Sequence, residues 1–284
     1  MPQTMMHLIV LKKTKLAEMD LIITAFSEEG YHVQAVIKGG RKPGSRRGAH
    51  LELFCRSQAL LHQGRGTLMT VSEAELVNAH AGCRSDIEHS SAAAAVCELV
   101  EAVSRDADSE PRLFNLLDAT LSTLDNTPIS GLYLITAAAL LKITAQIGFT
   151  PYLEGCLLCG AKRGSTHLHF SFEQGGLLCD ECSTIDLDGL SEQPEQLRQP
   201  EQPGQPEQPT QPAPPGLSGQ PAQLTDDVLG WVVTVLYSRY ADLAKHTGSE
   251  YTAVGRLLLL FARNWMRTQV TPKNRSLDFM LALG

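Results

Sequence analysis

The sequence predicts an α+β, multidomain chain: a small N-terminal β sandwich or barrel, then an all-α region with a four-cysteine module embedded in it. Three observations carry this. Residues 1–80 break into short apolar runs separated by turn residues. Residues 85–147 and 225–268 place their apolar residues at helical spacing. Cysteines 156, 159, 179 and 182 fall as two Cys-x2-Cys knuckles.

In the first block, His7–Leu11 is a short apolar run, and Leu21–Phe26 is β-branched and stops at Ser-Glu-Glu-Gly. Tyr31–Ile37 alternates apolar and polar and stops at Gly39-Gly40. Leu51–Cys55 and Ser57–Leu61 read as further strands, and Thr67–Val71 follows a Gly64-Arg65-Gly66 turn. The N-terminal β domain is set at 1–80, and 81–284 is the helical domain. There, Ser85–Ala107 carries Val96, Leu99, Val100 and Val103 on one face. Pro111 opens a helix through Leu124, and Pro128 opens a third, Gly131–Ile147, closed by Gly148. Leucines at this spacing are core, not a cofactor pocket. Thr225-Asp226-Asp227 reads as an N-cap with an acidic first turn. A further helix spans about Tyr251–Thr268, and Ser276–Leu283 is read as a short tail.

Between these helices lie two excursions. The cysteine module is placed at about 152–186. Residues 192–222 hold nine of the 15 prolines, mostly every third residue among Gln and Glu. With little to bury, they read as a disordered, polyproline-like linker.

The chain has 284 residues and is 43% hydrophobic, enough for a core and about two domains. No run of 18 apolar residues marks a membrane span, and the N-terminal charges follow the apolar stretch instead of preceding it, unlike a secretory signal. A soluble cytosolic protein is expected. The net charge of −7 hides a strong asymmetry. Residues 1–70 hold 10 Lys and Arg against 5 Asp and Glu, while residues 71–160 hold 4 against 12. A basic block on an acidic chain points to nucleic acid, because binding follows local charge density.

That charge concentrates in Lys38-Gly39-Gly40-Arg41-Lys42-Pro43-Gly44-Ser45-Arg46-Arg47-Gly48. Lys38, Arg41, Lys42, Arg46 and Arg47 are the candidate nucleic-acid contacts, through phosphate, on a loop whose glycines permit close backbone approach; a plain solvated basic loop is the competing reading. The two cysteine knuckles suit structural Zn²⁺: paired thiolates point at one ion, and four sulfurs close a tetrahedral shell with no open position for catalysis. Disulfides do not suit a cytosolic chain, and an iron–sulfur cluster lacks its usual spacing. His167 and His169, inside the loop, are read as strand histidines. Cys55, Cys83 and Cys97 are read as core. No phosphate-binding glycine loop, zinc-hydrolase helix motif or nucleophile elbow occurs. Nothing suggests bond-making chemistry, so the chain is expected not to be an enzyme. A zinc-dependent nuclease would need carboxylates or histidines at an open metal. A non-catalytic, zinc-stapled protein adaptor is the alternative function.

Taken in order, many short matches make the chain resemble the bacterial recombination-repair mediator family RecO over its whole length except 192–222. They include Val10-Leu11, Glu18-Met19-Asp20, Glu29-Gly30, Ala35–Gly39 and Arg41–Arg46. Gly66-Thr67-Leu68, Glu73-Ala74-Glu75, Glu98-Leu99-Val100 and Leu113–Leu117 follow. Cys156–Gly160, Gly175–Cys179 and Ser276-Leu277 complete them, the cysteines matching the zinc-bearing members. The resemblance implies an N-terminal OB-fold barrel and a helical C-terminal domain with the zinc module. It implies binding of single- and double-stranded DNA, annealing of complementary strands, and help in loading RecA onto strands coated by single-strand-binding protein. Implied partners are RecR, the acidic tail of single-strand-binding protein and, in some bacteria, RecF. The implied setting is the cytoplasm, at the nucleoid. Arg263, Arg267 and Arg275, with nearby Leu or Trp, are the candidate site for that acidic, Phe-ending tail. The barrel is poor in aromatics, with Tyr31 and Phe54 standing out. Phosphate charge is therefore expected to dominate binding.

Overall fold

In the computed structural model, residues 3–63, 68–105, 109–163, 167–184, 226–246, 248–271 and 273–283 are described. The predicted linker 192–222, the Gly64-Arg65-Gly66 turn and the cap residue Thr225 lie outside them. In chain order come β1 (Gln3–Lys15), β2 (Leu21–Ser27), β3 (His32–Ile37), α1 (Arg46–His50), β4 (Arg56–Gln63) and β5 (Met69–Asn78). Then follow α2 (Ile87–Ser104), α3 (Pro111–Leu124), α4 (Ile129–Gln146), β6 (Leu168–Ser171), β7 (Gly176–Cys179) and α5 (Asp180–Ser183). Last are α6 (Asp226–Tyr237), α7 (Tyr240–Leu243), α8 (Glu250–Gln269) and α9 (Arg275–Leu283). The barrel and the large helices cluster as one compact unit, residues 1–151 with 225–284; residues 152–224 form another.

The five N-terminal strands pair in the order β1-β2-β3-β5-β4, and β4 returns to β1, closing a barrel. All ladders are antiparallel except β3–β5, a short parallel contact of Ala35 with Met69 and Val36 with Thr70. Leu8, Val10, Ile23, Ala35, Ile37, Leu61 and Val71 face the interior core. β2 shows little alternation because α2 and α3 also pack on the sheet, so Phe26 and Ile9 are buried as fully as Ile23.

The expected strand Leu51–Cys55 is instead a turn. Its first residue plugs the barrel: Leu51 is fully buried in the interior cluster. Burying a leucine is worth about 2 kcal/mol, which is reason enough for an apolar run that is not a strand. Phe54 takes a left-handed conformation, φ 68°, which turns the chain back into β4.

Helix α4 is apolar all round because it packs against α2, α3, α6 and α8. By length and composition it is able to cross a bilayer, but 67% of it is buried in the bundle. α8 crosses it closely: a Cβ on Gly255 would lie 2.7 Å from the Leu134 backbone nitrogen. The expected tail Ser276–Leu283 is the helix α9. Its start is capped from elsewhere, because Glu98 on α2 accepts from the Arg275 and Ser276 N–H groups at 3.1 and 2.9 Å. Asn274 accepts from the Leu277 N–H at 2.9 Å and donates to the Ala95 carbonyl.

Candidate nucleic-acid interface and metal centre

The basic segment is folded, not a free loop. After β3, Gly39 turns at φ +66° and its N–H donates to Asp20 Oδ1 at 2.8 Å. Ser45 then caps α1 by accepting from the Gly48 N–H. Gly48 sits against the preceding turn, where a Cβ would fall 2.1 Å from the Gly40 carbonyl oxygen.

This folding divides the five predicted contacts in two. Arg41 donates to the Glu18 carbonyl at 2.6 Å, and its own N–H to the Met19 carbonyl at 3.0 Å. Arg47 donates to the Val71 and Lys38 carbonyls, both at 3.2 Å. These two guanidinium groups are struts, tying the segment to the β1–β2 loop and to β5. Lys38, Lys42 and Arg46 are exposed, and their side chains have no hydrogen-bond or charge partner among the described residues.

An open cleft of about 640 Å³ runs along the segment, lined by Lys13, Arg41, Lys42, Arg46, His50 and Glu52, among others. Its acid is accounted for: Glu52 accepts from Lys13 at 2.7 Å. Burial pushes the Glu52 carboxyl up, but Lys13 and the Leu53 N–H outweigh it and hold it below the usual carboxylate range. The cleft therefore presents uncompensated positive charge through Lys42 and Arg46. The sequence reading missed Lys13 and His50 as lining. The signal for the first was the lysine pair in β1, Lys12-Lys13, which reads equally well as a solvated strand end.

In the other unit, β6 and β7 form a hairpin, with Leu168 opposite Cys179. The first knuckle is closed by the Cys156 N–H donating to the Ala161 carbonyl at 2.8 Å. Gly155 is required there, since a Cβ would meet that same oxygen at 2.7 Å. The Sγ atoms of Cys156, Cys159, Cys179 and Cys182 all lie within 4.8 Å of one another. Cys159 and Cys179 are 3.6 Å apart. A tetrahedral Zn²⁺ with Zn–S bonds of about 2.3 Å requires sulfurs about 3.8 Å apart, so the donor set fits. The thiols also differ in acidity. Burial raises Cys156, but N–H groups of Cys159, Cys179 and Leu158 outweigh it and bring it to about 6. The hydrogen bond with Cys179 leads the causes that push Cys182 up to about 12. Four thiolates this close repel unless a cation sits among them. His169 reaches Asp180 instead of the cluster.

The three arginines proposed for a partner tail are not equivalent. Arg263 and Arg267 both bind Asp278 on α9, at 2.7 and 2.9 Å. Arg275 is exposed. Sequence reasoning also missed the junction of barrel and helices. Arg56 on β4 pairs with Asp118 on α3 at 2.8 Å and lies over the Phe114 ring. The fully buried His80 approaches Asp118 from the other side at 3.3 Å.

Comparison with known proteins agrees with this layout. A family model described as recombination protein O N terminal matches residues 1–80, and one described as recombination protein O C terminal matches residues 84–206. The DNA repair protein RecO of Desulforamulus reducens is 32% identical over 176 residues, 62% of this chain and 67% of that protein. That of Dehalococcoides mccartyi is 33% identical over 174 residues, 61% and 68% of the two chains. That of Alkaliphilus metalliredigens is 34% identical over 177 residues, 62% and 71%.

Proposed function

Because this chain belongs to the RecO family of DNA repair proteins, we propose that it is a non-catalytic recombination mediator. In this reading it binds single- and double-stranded DNA, anneals complementary strands and helps load RecA onto strands coated by single-strand-binding protein. The observation that carries it is the cationic cleft lined by Lys42 and Arg46, with Lys38 exposed on the same segment and all three unpartnered among the described residues, on a barrel of an otherwise acidic chain.

Residues 1–80 serve as the nucleic-acid domain. The strand order, with a helix between β3 and β4 and a parallel β3–β5 closure, is consistent with an OB-fold. Residues 81–284 supply partner surfaces. Annealing needs no active site. The cleft screens the repulsion of two phosphate backbones and holds the strands near each other, so their pairing becomes quasi-intramolecular. Arg41 and Arg47 keep the segment's shape, while Lys38, Lys42 and Arg46 meet phosphates.

Cys156, Cys159, Cys179 and Cys182 would hold a structural Zn²⁺, whose charge stabilises their four thiolates. Partners in this reading are RecR, the acidic tail of single-strand-binding protein and, in some settings, RecF. Of the candidate tail residues, Arg275 offers an exposed cation with no side-chain partner among the described residues, whereas Arg263 and Arg267 would have to release Asp278. The setting is the bacterial cytoplasm, at the nucleoid.

The test is fluorescence annealing of complementary oligonucleotides, with and without single-strand-binding protein, over a salt series. Faster annealing without strand cleavage, fading as salt rises, is expected. Absence of DNA binding at low salt refutes the mediator reading and leaves a zinc-stapled adaptor.

A further inference from the structure

The tip of the β1–β2 hairpin exposes two apolar side chains that the barrel core does not use. Leu16 is 49% exposed and Met19 41%. The turn closes with the Leu16 N–H donating to the Asp20 carbonyl at 3.2 Å. It is bound on its other side to the basic segment through the Arg41 and Gly39 hydrogen bonds described above. Arg41 also lines the cleft beside Lys42 and Arg46. Leu16 and Met19 therefore border the cationic surface.

The barrel's Phe and Tyr rings lie elsewhere, and the His50 ring in the cleft is held by the Ala74 carbonyl. Phe26 and Phe54 are buried, and Tyr31, though 51% exposed, follows the far end of β2. Seven residues of strand span about 23 Å, so Tyr31 cannot serve bases at the cleft. A single strand with its phosphates on Lys42 and Arg46 still holds its bases a few ångströms away from those cations. Unstacked bases present broad faces that gain from contact with apolar side chains. A duplex hides those faces. The exposed Glu18 carboxylate on the same turn repels phosphate, which keeps the backbone on the cleft side and leaves the tip to the bases.

We propose that Leu16 and Met19 form a base-contacting edge that makes this surface favour single strands over duplex. The inference rests on the DNA-binding reading above. The experiment compares the wild type with Leu16→Ser/Met19→Ser by fluorescence anisotropy at one salt concentration, using labelled oligothymidine and a blunt duplex. The single-strand affinity of the variant is expected to fall about three- to tenfold while its duplex affinity stays within about twofold. Met19→Trp, a single exposed change, gives a second readout: oligothymidine should quench its added emission and the duplex should not. Equal losses on both ligands, or no loss on either, overturn the base-contact inference. A wild type that binds neither ligand overturns the DNA-binding reading itself.

Discussion

The division of the basic segment into struts and free cations makes a quantitative prediction. Replacing Lys38, Lys42 and Arg46 together by Ala removes three unpartnered charges and no described hydrogen bond of their side chains. Each phosphate contact contributes about 0.7 to the slope of log affinity against log salt for single strands and about 0.9 for duplex. The triple variant should therefore lose about 2 from the single-strand slope and about 2.7 from the duplex slope. Between about 50 and 200 mM salt, a slope difference of 2 is a factor of about 16 in relative affinity. The assay is anisotropy titration at four or five salt concentrations, for wild type and variant. Arg47→Ala is the contrast. It strips hydrogen bonds from the Val71 and Lys38 carbonyls, so it should cost about 1–3 kcal/mol of stability and leave the slope of the folded protein unchanged. A triple variant with the wild-type slope would refute the assignment, and so would an Arg47→Ala protein that keeps its stability but loses slope.

Three further outcomes follow from the geometry. Gly48→Ala drives a methyl group to 2.1 Å from the Gly40 oxygen, and it should lower thermal stability by at least 1–3 kcal/mol, as overpacking typically costs about that much; an unchanged melting temperature contradicts the close approach. Asp86, the N-cap of α2, is held at about 2 chiefly by the His89 N–H, below its ordinary 3.8. A depressed carboxylate stabilises the fold above its ordinary pKa, so stability should fall as pH drops from about 3.8 to about 2; Asp86→Asn, which still caps, should flatten that window in a series of denaturant melts. Metal analysis should find one Zn²⁺ per chain, and Cys182→Ser or a strong chelator should remove it and raise hydrogen exchange in residues 152–184, with the barrel amides unaffected. Full metal occupancy in Cys182→Ser would exclude the four-sulfur shell.

The sequence made legible whatever depends on local spacing. The two Cys-x2-Cys knuckles need only their own turns, and their sulfurs do converge. Helices α2, α3 and α4 announce themselves because each buries a face rich in Leu, Ala or Val. What was not legible depends on partners distant in the chain. Nothing near Arg47 says that the carbonyls of Val71 and Lys38 will converge on it; barrel closure brings them there. The same holds for α9, read as a tail because its capping groups, Glu98 and the Asn274–Ala95 bond, connect it to α2. Leu51–Cys55 misled for a third reason. A short apolar run reads as a strand whether its residues line a sheet or fill a barrel, and periodicity cannot separate the two.

The junction between barrel and helices fixes the barrel against the helical bundle. Asp118 on α3 receives Arg56 from β4 and His80 from the connecting segment, so one carboxylate ties three parts of the chain. Its pKa is held below the usual carboxylate range, with the His80 hydrogen bond the leading cause, which keeps it charged opposite Arg56. Gly30 allows the β2–β3 turn to meet the start of α3: a Cβ there would lie 2.2 Å from the Glu110 nitrogen, and the Glu110 N–H donates to the Gly30 carbonyl. Ser109 bonds the adjacent Glu29 carbonyl. Exposed ion pairs are weak because water screens them, but here the ionic contact is backed by backbone contacts and buried apolar surface. A barrel fixed this way cannot swing freely. A strand lying in its cleft would keep a constant direction relative to α8 and α9, where the arginines sit. On the mediator reading proposed above, that constancy favours annealing, since two strands pair quickly only if both are presented in compatible orientations.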